Sequence, residues 1–239
     1  MLSRIESNSA EPVAKRVFQA LRQAIVTMQF SPGQPLSEQE VATQLGVSRQ
    51  PVREAFIKLG ESGLVTIRPQ RGTFVVKISV KQVIDARFVR EAVEVAVARK
   101  AGEDLPAGIV RDLRDNLGAQ RAAAEDSTPE RFLDLDEAFH RTLALGIGCE
   151  YAWRVVEETK AQMDRVRYLS LPHATPLDRL IHQHEAIVDA IEARDPDGAE
   201  AAMRRHLREI LTSLPELEQR FPDLFDGAAA PAARPTCAA

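Results

Sequence analysis

Residues 36–59 read LSEQEVATQLGVSRQPVREAFIKL, and this stretch predicts two short helices joined by a tight turn. Ser37 and Glu40 stand three residues apart, which is the spacing of a capping box at the start of a helix. Gly46 can adopt the left-handed backbone that ends the first helix, and Pro51 is tolerated in the first turn of the second. Together these features are typical of a helix-turn-helix.

The apolar positions of the second helix predict which of its faces stays in solvent. Val52, Phe56 and Leu59 repeat at helical spacing and are expected to face inward. The exposed N-terminal end then carries the side chains that such a motif uses on base edges and phosphates, namely Ser48, Arg49, Gln50 and Arg53. A solvated, partly basic helical hairpin is the alternative. The flanking elements favour DNA binding over it.

A β-hairpin is predicted directly after this motif. Residues 64–67 (LVTI) and 73–76 (TFVV) have the composition of short strands, and residues 68–72 (RPQRG) form the turn between them. We expect a wing beside the second helix, in which Arg71 and Gly72 at the tip enter the minor groove or, alternatively, Arg68 and Arg71 hold phosphates. An ordinary solvated turn is the alternative.

The charge of the chain is unevenly distributed. The 239 residues carry a formal net charge of -4. Residues 1–78 contain ten Lys and Arg against six Asp and Glu, whereas the remainder contains 21 against 29. Because phosphate contacts need local positive charge, a basic small domain joined to an acidic larger one suits DNA binding by the first domain only.

Composition also bears on where the protein works. Apolar residues make up 44% and charged residues 28% of the chain, as in ordinary globular proteins. No apolar run is long enough to span a membrane, and the first residues lack a signal-peptide core. Cys149 and Cys237 are too few for a disulfide framework. We therefore expect a cytoplasmic protein that has no membrane partner.

Beyond residue 79 the pattern predicts helices only. Gly- and Pro-containing breaks divide this segment into six helices, at 79–101, 107–125, 129–145, 150–170, 176–194 and 197–213. The predicted fold is mainly α. It comprises a winged helix-turn-helix domain over 1–76, a linker over 77–80 and an all-helical six-helix bundle over 81–214. Residues 215–239 are low in complexity and are expected to be a flexible tail.

Three histidines and one aspartate share a pattern in the helical segment. Asp136 and His140 lie four residues apart, so their side chains project from one face of a helix. His184 and His206 lie beside apolar stripes of two later helices. Three neutral imidazoles and a carboxylate suit a divalent metal such as zinc, nickel or manganese. From spacing alone, three separately satisfied core histidines are an equal alternative.

Arg90 is unusual because it occupies the apolar side of its predicted helix, with Arg87 one turn earlier on the same side. An inward arginine keeps its charge and needs an anion. That anion is either Glu94, four residues later, or the carboxylate of a ligand inside the bundle. The residues alone do not favour either alternative.

These motifs resemble the GntR family of transcriptional regulators, in the subgroup whose effector domain has the all-helical FCD fold. The resemblance covers residues 11 to about 213 and rests on LSEQEVATQLGVSRQPVREAFIKLGESGLV, RPQRGTFV, VREAVEVAVARKA, LDEAFH and HEAIVDAIEARDPDGAEAAMRRHL, in this order. It implies a homodimer that binds double-stranded operator DNA. Arg49 and Arg53 are the implied base or phosphate contacts, and Gly72 lies at the wing tip.

The same resemblance implies how the helical domain is used. The effector arginine of the family maps onto Arg90, and we expect Arg87 beside it in the effector site. One divalent metal ion per chain is implied, zinc being favoured over nickel or manganese, together with a small organic-acid effector that controls operator affinity, most simply in a repressor. The metal ligands of the family map onto Asp136, His140, His184 and His206.

Two other functions are compatible with the same residues. A metal-dependent hydrolase would use an open metal position to activate water, but no positioned general base or nucleophile motif accompanies the candidate ligands. A constitutive DNA-binding protein would carry a structural metal and no effector. We expect a regulator that is not an enzyme.

Overall fold

The N-terminal domain packs helices against a small antiparallel sheet. The computed structural model describes residues 2–5, 11–171 and 174–227. The elements are α1 Val13–Val26, β1 Pro35–Leu36, α2 Glu38–Leu45, α3 Arg49–Glu61, β2 Val65–Arg68 and β3 Gly72–Val75. The strands pair in the order β1-β3-β2. This confirms the winged helix-turn-helix and adds β1, which was not predicted because it has only two residues and begins with a proline.

The boundaries of α2 follow the predicted end signals. The Ser37 hydroxyl accepts a hydrogen bond from the Glu40 N–H at 3.3 Å, and Gly46 ends the helix with a φ of 70°. Ser48 occupies the N-cap position of α3, although within the described residues its side chain makes no capping hydrogen bond. Phe56 and Leu59 are buried against α1, so the start of α3 is turned to solvent.

The rest of the described chain is helical, as predicted. The elements are α4 Val80–Glu103, α5 Ala107–Glu125, α6 Pro129–Gly146, α7 Glu150–Thr159, α8 Ala161–Ser170, α9 Leu177–Glu192, α10 Pro196–Arg208 and α11 Ile210–Arg220, followed by a 3-10 turn Pro222–Leu224. The core is formed mainly by α4, α5, α6, α9 and α10. None of these helices combines the length and apolar character needed to cross a bilayer.

The single helix predicted over 150–170 is in fact two helices, α7 and α8. They meet at Lys160, whose ψ of -3° departs from the helical value. The Lys160 ammonium is buried and lies 2.6 Å from a Glu137 carboxylate oxygen and 2.9 Å from one of Asp164. Residues 156–164 contain neither Gly nor Pro, so the sequence carries no sign of this break.

The expectation of a flexible tail from residue 215 is wrong for residues 215–227. Helix α11 continues through Pro215, and Leu217 and Phe225 are buried. Ile78 of the linker donates its N–H to the Leu224 carbonyl and accepts from the Asp226 N–H, both at 2.9 Å. The linker is therefore clamped by the C-terminal segment. Residues 228–239, including Cys237, and also His173 lie outside the described residues.

Candidate metal centre and nucleic-acid interface

The structure brings together the four residues that the sequence singled out as metal ligands. Helix α6 presents Asp136 and His140 one turn apart, while α9 contributes His184 and α10 contributes His206. All four side chains are buried, and each offers one ligand atom within 4.8 Å of the others. The three histidines are therefore not separate from one another in this fold.

The distances within this group match the edges of one metal coordination shell. Nε2 of His206 lies 3.1 Å from Nε2 of His140 and 3.2 Å from Nε2 of His184. An Asp136 oxygen lies 3.5 Å from Nε2 of His184, and its other oxygen lies 3.9 Å from Nε2 of His140. Ligands at about 2.0–2.1 Å from a tetrahedral ion stand about 3.3–3.4 Å apart, so the residues fit such an ion.

The outer ring nitrogens are oriented by side-chain acceptors. Nδ1 of His184 lies 2.9 Å from the Gln120 side-chain oxygen, and Nδ1 of His206 lies 3.1 Å from that of Gln183. An acceptor at Nδ1 keeps the proton there, so the Nε2 lone pair points into the centre. The Nε2 lone pairs of His184 and His206 face one another at 3.2 Å and cannot hydrogen-bond. A cation between them would relieve this repulsion.

The third imidazole contacts a buried ion pair. Nδ1 of His140 lies 2.6 Å from Oε2 of Glu94, although the N–H is poorly directed for a hydrogen bond. The other Glu94 oxygen accepts from Nε of Arg90, which is also buried. Burial alone would raise the pKa of Glu94, but the charges of Arg90 and His140 outweigh it and lower that pKa to about 2. Glu94 is thus the partner of Arg90 in this structure.

Arg167 is a functional candidate that sequence reasoning missed. It projects from α8 and donates to an oxygen of Asp136. Burial would raise the pKa of Asp136, but Arg167 and the imidazoles hold it well below the usual range. Burial also lowers the pKa of His184 to about 3 and that of His206 well below its usual value. These two imidazoles are therefore neutral at pH 7, as metal ligands must be.

A cavity opens beside this group, between α4, α6, α8, α9 and α10. Its polar wall includes Arg90, Asp136, Arg167, His206 and Glu209. Its apolar wall includes Phe132, Leu133, Met163, Leu180 and Ile210. Two guanidinium groups and two of the four candidate ligands, Asp136 and His206, therefore face the same space.

Arg87, the other arginine that the sequence associated with the effector, lies in a different environment. Its guanidinium pairs with Glu91, which also binds Arg208 at 2.6 Å and Arg204 at 2.9 Å. The contacts of Arg87 are therefore those of a half-buried ion-pair network that joins α4 to α10.

The start of α3 presents the predicted DNA-contacting side chains to solvent. Arg49 and Arg53 have 57% and 54% of their side chains exposed, and Ser48 and Gln50 are exposed beside them. Both arginines contact Glu38 of α2. Arg53 donates through Nε and Nη2 at 3.0 Å each, and Arg49 donates at 3.1 Å. The hydrogen bond from Arg53 is the largest cause of a lowered Glu38 pKa.

The wing carries a tight turn between β2 and β3. Arg71 is exposed at this turn, and its N–H bonds to the Arg68 carbonyl at 3.0 Å. Gly72 has a φ of 101°, a conformation that favours glycine. The Arg68 guanidinium lies 5.1 Å from the centre of the Phe74 ring. Both arginines are exposed, and Arg68 differs from Arg71 in lying over this ring.

Comparison with known proteins agrees with this architecture. Family models match residues 13–75 (bacterial regulatory proteins, gntR family) and residues 85–209 (FCD domain). The HTH-type transcriptional repressor RspR of Escherichia coli K12 is 45% identical over 91% of this chain and 96% of its own length. The gluconate operon transcriptional repressor of Bacillus licheniformis is 26% identical over 76% of each chain.

A solved structure shows the same fold at low identity. The E. coli protein McbR/YncC superposes with a TM-score of 0.75 over 88% of this chain and 99% of its own, at 19% identity. The family models together cover both domains, and RspR is similar over nearly the whole chain. The chain belongs to the GntR family of bacterial transcriptional regulators, and its helical domain is an FCD domain.

Proposed function

We propose that this regulator is an operator-binding repressor whose DNA affinity is set by a small organic acid bound at a divalent metal in the FCD domain. The observation that carries the proposal is the convergence of Asp136, His140, His184 and His206 beside a cavity that two arginines also face. The names of the relatives support the repressor role, since RspR and the gluconate operon protein are both called repressors.

The donor set favours one metal ion per chain. Three imidazole nitrogens and one carboxylate oxygen suit zinc, and nickel or manganese can use the same donors. Asp136, His140, His184 and His206 would hold the ion. Such an ion would supply Lewis-acid attraction for an oxygen anion that binds as a fifth ligand beside the four protein ligands.

The charge balance of the cavity favours an anionic ligand. Arg90 is paired with Glu94, and Arg167 is paired with Asp136, so these buried charges cancel. His184 and His206 are neutral and add no charge, so a divalent ion would add a charge of about +2 to the site. A buried charge needs compensation, which a carboxylate in the cavity provides. Gluconate, after which one relative is named, is a hydroxy acid of this class.

The N-terminal domain supplies the DNA contacts in this proposal. Arg49 and Arg53 are exposed at the start of α3, where a helix-turn-helix meets the major groove, and Ser48 and Gln50 stand beside them. The wing tip, which contains Arg71 and Gly72, contacts the minor groove or phosphates in this proposal. Long arginine side chains that are this exposed can exchange Glu38 for a phosphate at little cost.

A homodimer is part of the same proposal. Helix α4 exposes Ile84 and Phe88, four residues apart, with 42% and 67% of their surfaces in solvent. An apolar pair on one helical face suits contact with a second copy. Two winged domains related by twofold symmetry would then read two operator half-sites.

Thermal shift measurements test the link between metal and acid. Protein stripped with chelator and protein reloaded with zinc are melted with gluconate, citrate, lactate or sulfate. We expect an organic acid to raise the Tm of the zinc-loaded protein only, because bound ligand stabilises the folded state. An equal shift in stripped protein would contradict metal-assisted binding. No shift with any acid would favour the constitutive protein that has a structural metal.

A further inference from the structure

Helix α8 contacts both functional ends of the molecule. Arg167, near its C-terminal end, donates to the candidate metal ligand Asp136. Asp164, one turn earlier, pairs with Arg22 of α1 in the winged domain. Arg167 Nη1 lies 3.7 Å from Asp164 Oδ1. An unbroken series of opposite charges thus runs from the metal-ligand cluster to the DNA-binding domain.

This series is buried at its centre, so its members cannot easily exchange partners with water. Asp136 and Asp164 are buried, and Arg167 is largely so. Lys160 is also buried and adds a second cation at 2.9 Å from Asp164. Removing one partner from a buried ion pair leaves an uncompensated charge, which is strongly unfavourable. A change at one end should therefore redistribute the pairs along α8.

The same helix holds the winged domain through backbone contacts. Gln162 donates to the Gly63 carbonyl at 2.6 Å, and Arg165 donates to the Val76 carbonyl at 2.9 Å. Arg165 is fully buried, yet its Nε and Nη2 have no hydrogen-bond partner among the described residues. Because Arg165 is a buried cation that uses only part of its hydrogen-bonding capacity, it makes the contact of α8 with the winged domain less favourable. The contact between α8 and the winged domain therefore combines two favourable hydrogen bonds with this unfavourable contribution.

We propose that Arg167 and Asp164 are positioning residues that transmit the state of the metal centre to the winged domain. The inference rests on the proposed function of that centre. When Asp136 shares its charge with a bound cation, Arg167 is held less strongly and moves toward Asp164. The ion pair between Asp164 and Arg22 is then weakened, and α1 packs less firmly against α8. An anion that pairs with Arg167 in the cavity acts in the opposite direction and returns Asp164 to Arg22.

Hydrogen exchange of the full-length protein tests this transmission, with zinc alone as the probe. Amide protection of α1 is compared in stripped and zinc-loaded protein, and zinc content is measured in parallel. The variants are Asp164→Asn and Arg22→Gln, which change the relay without changing a candidate ligand. Asp189→Asn is the control, because it alters an exposed ion pair with Arg114 on the surface of the FCD domain.

We expect zinc to lower the protection of α1 in the wild type and in Asp189→Asn. In Asp164→Asn and Arg22→Gln, zinc should bind at the same stoichiometry while the response of α1 is lost. An undiminished response in both relay variants would overturn the inference, as would zinc-bound wild type in which α1 does not respond. Wild type that binds no zinc would overturn the proposed function itself and, with it, this inference.

Discussion

At the scale of single residues, Glu38 connects the two arginines that we propose to contact DNA, Arg49 and Arg53, to α2 of the winged domain. Its carboxylate accepts two hydrogen bonds from Arg53 and one from Arg49. The sequence identifies both arginines as exposed, because the apolar spacing of α3 fixes which face is buried. It does not reveal that Glu38 holds them, since that contact joins two helices across a turn.

Arg53→Ala should weaken operator binding by about 10- to 100-fold, which corresponds to about 1–3 kcal/mol for one good base or phosphate contact. The free energy of unfolding should change little, because the side chain is exposed and surface ion pairs contribute little. Fluorescence anisotropy with a selected operator and urea unfolding measure the two effects. Lys58→Ala, at the other end of α3, is the control. A large loss of stability would contradict the placement of Arg53.

The ion pairs of Glu91 predict how the free energy of unfolding depends on pH. Arg208, followed by Arg204 and Arg87, lowers the pKa of Glu91 from 4.5 to about 2. A carboxyl with a lowered folded-state pKa stabilises the protein above pH 4.5, and this stabilisation is lost as the pH falls toward 2. Urea unfolding of metal-free protein between pH 7 and pH 3 should therefore show a steeper loss in wild type than in Glu91→Gln. Parallel curves would contradict the prediction.

At the scale of elements, most helices and the wing could be predicted from the sequence, because periodicity and end signals are local properties. The four candidate ligands could also be named, because Asp136 and His140 share a helical face and the family resemblance maps its metal ligands onto all four. Their convergence could not, because it depends on how α6, α9 and α10 pack. The break at Lys160 and the packing of residues 215–227 were missed for the same reason. Both are determined by distant partners, Glu137 in one case and Ile78 in the other.

The contact between the C-terminal segment and the linker predicts that Phe225 stabilises the fold. Phe225 is buried in a cluster with Ile78, Val83 and Leu217. Phe225→Ala should lower the free energy of unfolding by about 3–5 kcal/mol, because it removes a large buried side chain and leaves a cavity. Urea unfolding measures this change. Tyr151→Ala, at an exposed aromatic residue, is the control, and an equally small effect of the two substitutions would show that this contact does not stabilise the fold.

At the scale of the whole molecule, a basic winged helix-turn-helix domain is joined to an acidic FCD domain that contains the four buried candidate ligands. The two are connected by the linker and by α8, which are the two physical routes open to the proposed ligand-dependent regulation. The resemblance to the GntR family predicts both domains. The role of α8 depends on contacts between domains that the sequence does not show.

Dimerisation through α4 can be tested by placing a charge in the exposed apolar pair. Phe88→Glu should shift the protein toward monomer, because a carboxylate buried at an interface is unfavourable. Sedimentation velocity measures the shift, and operator affinity should fall with it. Tyr151→Glu, at an equally exposed aromatic residue on α7, should leave the oligomeric state unchanged. A dimeric Phe88→Glu protein would place the interface elsewhere.

The proposed function depends above all on the binding of a metal by the four convergent residues of the FCD domain. Elemental analysis of untagged protein purified without chelator tests it most directly, with His184→Ala and His182→Ala as a matched pair. His184 is buried in the centre, whereas His182, two residues earlier, is exposed. We predict about one equivalent of zinc, nickel or manganese in the wild type and in His182→Ala, and its loss in His184→Ala. Wild-type protein that holds no metal even after reloading would contradict the proposal.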